Sequence, residues 1–104
     1  MTQYTSNYAW LESKYGKALE AHQQFGKALQ EAGPLDQKRA QLVQLAGAAA
    51  GKSEGAVHSH VKRALKAGVE PDEICHALLL LASTIGFPAA AAALSWAREI
   101  IDGE

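Results

Sequence analysis

SEGAVHSHVKRALKAG, residues 53–68, reads as one amphipathic helix with both of its ends marked. Ala56, Val57, His60, Val61, Ala64 and Leu65 recur at three- and four-residue spacing, which lines one side of a helix. Ser53 precedes the run as an N-cap, and Gly68 follows it where a left-handed C-terminal cap belongs. This segment predicts helices on either side of it, because an apolar stripe must be covered.

Upstream, Asp36 is placed to cap a helix whose apolar set is Ala40, Val43, Ala46 and Ala50, widened by Leu42, Leu45 and Ala49. Gly51-Lys52 breaks it. Before it, residues 17–32 form a helix with Leu19, Ala21, Phe25, Ala28 and Leu29 on its apolar side, stopped by Gly33-Pro34. Asn7 is placed to cap a short aromatic helix over residues 8–14.

Downstream, Pro71 opens a helix, with Asp72 and Glu73 suited to its positive end. Residues 77–82 are apolar all round and predict a centrally buried helix. After Gly86-Phe87, Pro88 starts a last helix that ends near Asp102. No segment alternates as a strand does. The expected fold is all-α, a single-domain bundle of about six helices over residues 1–104.

The 104 residues suffice for one small core. A formal net charge of -1 gives no basic surface for nucleic acid. The N-terminal MTQYTSNYAW lacks the features of a signal peptide, and no apolar run is long enough to span a membrane. The single cysteine, Cys75, excludes an intrachain disulfide and fits a reduced, cytoplasmic protein. At 48% hydrophobic residues, the chain holds more apolar surface than so short a monomer easily hides. Part of it is expected to be a subunit interface.

His58 and His60 are two residues apart, so their side chains leave a helix roughly 200° from one another. They cannot chelate one ion, and no cysteine pair or His-Glu constellation is recognised that would make a metal site. No metal and no cofactor are expected. His58 shares a side with Lys62, Arg63 and Lys66 and is read as solvated. His60 lies on the apolar stripe. There it is either a neutral base near pH 7 or a core histidine satisfied by a backbone carbonyl.

Cys75 reads as a small buried hydrophobe; it and the adjacent His76 diverge by roughly 100° and are no automatic nucleophile-base pair. His76 lies on the polar start of its helix, and His22 reads as surface. Arg39, near a helix start, is either a carboxylate clamp or a solvated side chain. Tyr4, Tyr8, Trp10 and Tyr15 either lid a pocket or pack on a neighbour.

The ordered pieces GPLDQKRAQLVQLAGAAAGKSEGAVHSHVKRALKAGVEPDEI and LLLLASTIGFPAAAAALSWAREI resemble the carboxymuconolactone decarboxylase family, which includes the alkylhydroperoxidase D-like proteins. The shared elements are Leu-Asp before a helix, His-Val on the next, Ala-Leu-x-x-Gly, Pro-x-Glu-Ile and Gly-x-Pro-Ala. The resemblance covers a family core of about residues 35–102, with residues 1–34 as a helical extension. It implies an all-helical fold assembled as homotrimers or homohexamers.

The peroxidase-like branch carries Cys-x-x-Cys with a histidine four residues beyond. Aligned on His60, those cysteines fall at Ser53 and Ala56, and a proton-relaying glutamate falls at Gln41. Peroxiredoxin-type activity is therefore disfavoured. The decarboxylase branch lacks the thiols and keeps the histidine, which makes His60 the expected acid-base residue. Gln41, Ser53, Arg39 and His76 are the supporting candidates. Thr84 stands where decarboxylases carry tyrosine, and His76 where an acidic residue is common. The resemblance implies lyase-like chemistry on a small carboxylated or lactone substrate. The alternatives are a thiol peroxidase and a non-catalytic oligomeric binding protein.

Overall fold

The computed structural model describes the backbone of residues 3–103 and the side chains of residues 6–103. Every regular element among them is helical. The helices are α1 (Gln3–Glu31), α2 (Gln37–Ala50), α3 (Glu54–Lys66), α4 (Pro71–Leu80) and α5 (Phe87–Gly103). A short 3-10 turn, Leu81–Ser83, follows α4. The all-α expectation holds. Among the described residues these are five helices, and α1 is itself two helical segments joined at a kink at Tyr15, between the two helices expected at residues 8–14 and 17–32.

The two compact units are Met1–Leu35 and Asp36–Glu104. In the first, α1 runs through the expected break but leaves helical geometry at Tyr15 (φ −128°, ψ 41°), next to Gly16. A straight helix would hold residues 8 and 23 about 22 Å apart. Instead Gln23 Nε2 donates to the Tyr8 hydroxyl at 2.7 Å, so the bend folds one half of α1 toward the other. Trp10 and Tyr15 meet edge to face, with ring centres 5.9 Å apart. Asn7 does not cap: α1 already begins at Gln3, which places Asn7 inside the helix. The side chain of Tyr4 lies outside the described residues.

In the second unit, Asp36 caps α2 by accepting from the Arg39 backbone N–H at 2.8 Å. The buried stripe of α2 is Gln41, Leu45 and Ala49, one residue every four. Of the expected set, Leu45 and Ala49 are buried as read, while Val43 and Ala50 are exposed. A polar residue, Gln41, heads the true stripe and hides its period.

Two helices in succession end in the same way. Val69 N–H bonds the Ala64 carbonyl and Gly68 N–H the Leu65 carbonyl, the paired bonds of a Schellman cap, with Gly68 at φ 96°. At the end of α2, Ser53 N–H bonds Ala48 and Lys52 N–H bonds Ala49. There the left-handed position is taken by Lys52 (φ 57°), while Gly51 stays right-handed.

The core joins Leu45 and Ala49 of α2 to Val57, Val61 and Ala64 of α3. Ile74 and Leu78 of α4 and Ala93 and Ala97 of α5 complete it, with Val69 between α3 and α4. The alanines of α5 let that helix lie close to its neighbours. The expected central burial of residues 77–82 does not occur within the chain. Helix α4 buries only Ile74 and Leu78, and Leu79 and Leu80 are 52% and 58% exposed. No helix among the described residues is long and apolar enough to cross a membrane.

Candidate functional site

His60 lies on α3 at the edge of its buried side, beside the fully buried Val57, Val61 and Ala64. It is part-buried. Its Nδ1 is 3.1 Å from Oε1 of Gln41 on α2, a side chain only 5% exposed and the one buried polar residue among those described. Capping by Asp36 and Ser53 positions these two helices, and the Leu45, Ala49, Val57 and Val61 side chains pack between them. A buried amide needs its partners, and here one of them is the imidazole. With the amide oxygen turned toward the ring, as it is here, neutral His60 carries its proton on Nδ1. Nε2 is then left with a lone pair, the arrangement of a general base.

Burial depresses the His60 pKa below its ordinary 6.5, and the positive charge of Arg63 depresses it further. Both effects favour the neutral imidazole near pH 7. Arg63 stands one turn along α3 from His60, at the spacing that places side chains side by side. It is exposed and has no carboxylate partner among the described residues. The result is a neutral base next to an unpaired cation.

The other candidates lie elsewhere. Arg39 is 72% exposed, and its guanidinium is held on Asp36 at 2.7 Å. Two residues from Gln41, it leaves α2 on the other side. Ser53 accepts the Ala56 backbone N–H at 3.2 Å, a capping bond at the start of α3. Ala56, which the resemblance aligns with a cysteine of the thiol branch, is part-buried. His76 is exposed on α4, and Cys75 beside it is a free, part-buried thiol.

The solvated reading of His58 is overturned. Its side chain is 12% exposed, and Nε2 lies 2.8 Å from Glu99 Oε1 on α5. Glu54, one turn before it on α3, approaches the same nitrogen at 4.0 Å. A His-Glu constellation is therefore present, contrary to the sequence reading. The Glu54-x-x-x-His58 spacing was open to inspection; the approach of Glu99, 41 residues away, carries no local signal. Arg63 is likewise legible in the sequence as the cation three residues after His60.

The sequence matches the model of the carboxymuconolactone decarboxylase family over residues 16–99. Searches among curated proteins and among solved structures return no match. The family match reaches back beyond residue 35 into the second half of α1, and it takes in Gln41, His60 and Arg63. This chain belongs to the carboxymuconolactone decarboxylase family.

Proposed function

We propose that this protein is a homo-oligomeric, cytoplasmic enzyme of the decarboxylase type, acting on a small carboxylated or lactone substrate through His60. The observation that carries the reading is the His60–Gln41 contact, which leaves Nε2 free beside an unpaired Arg63. Arg63 fills the carboxylate-clamp role for which Arg39 was one candidate: its guanidinium meets the substrate carboxylate. An isomerisation then needs only one proton, taken by Nε2 from one carbon and returned to another. In a decarboxylation, the bound anion offsets the charge of Arg63 and raises the imidazole pKa, so His60 gains a proton from water. As the C–C bond breaks and carbon dioxide leaves, the electron pair on carbon takes that proton.

Assembly is part of the same reading. Val43, Leu79, Leu80 and Phe87 are large apolar side chains left exposed by the single chain, and a partner copy would bury them. Light scattering is expected to return three or six times the 11.0 kDa chain mass. An 11.0 kDa species at micromolar concentration would contradict the assembly.

The test of the chemistry is a panel of small lactone acids and unsaturated carboxylic acids, followed by carbon dioxide release and by deuterium uptake in heavy water. His60→Gln is expected to lower kcat by about 10²–10⁴ on any substrate turned over. Arg63→Gln should act mainly through KM. Turnover indifferent to His60→Gln would remove the proposed base. An assembled protein inert to the whole panel would favour the non-catalytic binding protein.

A further inference from the structure

We propose that Glu54, His58 and Glu99 form a binding site for a divalent transition-metal ion of the zinc class, independent of the His60 site. Glu54 and His58 are four residues apart on α3, the spacing at which two helical side chains reach one point. Glu99 comes from α5, so the set joins two helices that pack on each other. One ligand atom from each of the three lies within 4.8 Å of the others. His58 Nε2 stands 2.8 Å from Glu99 Oε1 and 4.0 Å from Glu54 Oε2.

Those distances are close to what an ion requires. Ligands at about 2.1 Å in tetrahedral geometry are about 3.4 Å from one another. The 2.8 Å contact must open by about 0.6 Å, the 4.0 Å one must close by about 0.6 Å, and any at the 4.8 Å limit by about 1.4 Å. Both carboxylates belong to half-exposed side chains, which can make that adjustment by rotation. The imidazole need not move far, because it is already packed at 12% exposure and aimed between the two carboxylates. Two carboxylates and one neutral imidazole carry a charge that matches a divalent cation.

The donor set also selects among cations. Imidazole suits zinc, iron, nickel and copper, while calcium and magnesium prefer oxygen alone. Three protein ligands leave a fourth position to water or to a small anion. Occupation displaces any proton shared between His58 and Glu99 and replaces one hydrogen bond between α3 and α5 with three metal bonds. His58 and His60 leave α3 on nearly opposite sides, so the ion does not touch the proposed base.

The test is calorimetric titration of the 104-residue chain with zinc chloride, together with the visible spectrum of the cobalt-loaded form. One site per chain is expected, with a Kd below about 10 µM and no competition from millimolar magnesium. Glu54→Gln, Glu99→Gln and His58→Gln should each weaken binding by about tenfold or more, whereas His76→Gln and Cys75→Ala should not. Glu54 is exposed at the first turn of α3 and anchors no core packing, so its variant tests the site even where His58→Gln perturbs the fold. A wild-type Kd above about 10 µM, or zinc binding unchanged by Glu54→Gln and Glu99→Gln, would show a plain His58–Glu99 ion pair and overturn the proposal.

Discussion

His60 on α3 and Gln41 on α2 are joined by a contact of 3.1 Å between Nδ1 and Oε1. The resemblance to the family's thiol branch implies a glutamate at the position of Gln41. A neutral amide orients the ring as a carboxylate would, but stabilises the imidazolium far less. The pairing therefore separates two properties, a fixed tautomer and a depressed pKa, that a glutamate would set against each other.

Replacing the amide by the acid makes that separation measurable. Gln41→Glu puts a carboxylate against Nδ1, and an opposite charge at this distance favours the protonated ring. The His60 titration midpoint, followed by proton NMR, is expected to move up from its depressed wild-type value. Gln41→Leu should leave Nδ1–H unpartnered and lower stability by about 1–3 kcal/mol in chemical denaturation.

The depressed His60 pKa also sets a pH dependence of folding. The unfolded chain binds a proton at His60 near pH 6.5, and the folded chain only at lower pH. The stability contributed by the neutral ring is thus present above pH 6.5 and is lost as pH falls through the folded pKa. Urea denaturation at pH 7.5 and 5.5 should show wild type losing more stability than His60→Gln over that interval. Equal losses would place no shift at His60.

The two Schellman caps predict the same preference for glycine at the left-handed position. Lys52 pays the strain of a left-handed backbone with a side chain attached, so Lys52→Gly is expected to raise stability by up to about 1 kcal/mol. Gly68→Ala should lower it by about 1 kcal/mol or more. Its φ of 96° disfavours a side chain, and a new Cβ would stand 3.2 Å from Lys38 Cε. Thermal or chemical denaturation reads both.

Thiol peroxidase chemistry should be absent. Ser53 is a cap, Ala56 has no functional group, and Cys75 is the chain's one thiol. A serine hydroxyl does not reduce a peroxide. Hydroperoxide consumption with a dithiol reductant is expected at background level, for wild type and Cys75→Ala alike. Robust wild-type turnover lost in Cys75→Ala would identify Cys75 as the nucleophile.

Helix α3 was legible end to end, because its cap, stripe and left-handed glycine all agree. The buried side of α2 was not: Gln41 is polar yet buried, and Val43 is apolar yet exposed. Leu79 and Leu80 show the same limit from the other direction, since an apolar pattern does not say whether its own chain covers it. The bend at Tyr15 was visible as a break, but not the contact between Tyr8 and Gln23 that closes it. His60 could be singled out by its stripe and by resemblance. The long-range contacts, Gln41 under His60 and Glu99 under His58, required the packing of separate helices.

The central claim is that Gln41 holds His60 as a neutral imidazole with Nε2 free. Long-range nitrogen–proton NMR of the histidine rings at pH 7 tests it most directly, with His60 assigned by comparison with His60→Gln. The account predicts a neutral ring protonated on Nδ1, with an Nε2 shift typical of an unprotonated nitrogen. An imidazolium at pH 7, or a neutral ring protonated on Nε2, would contradict it.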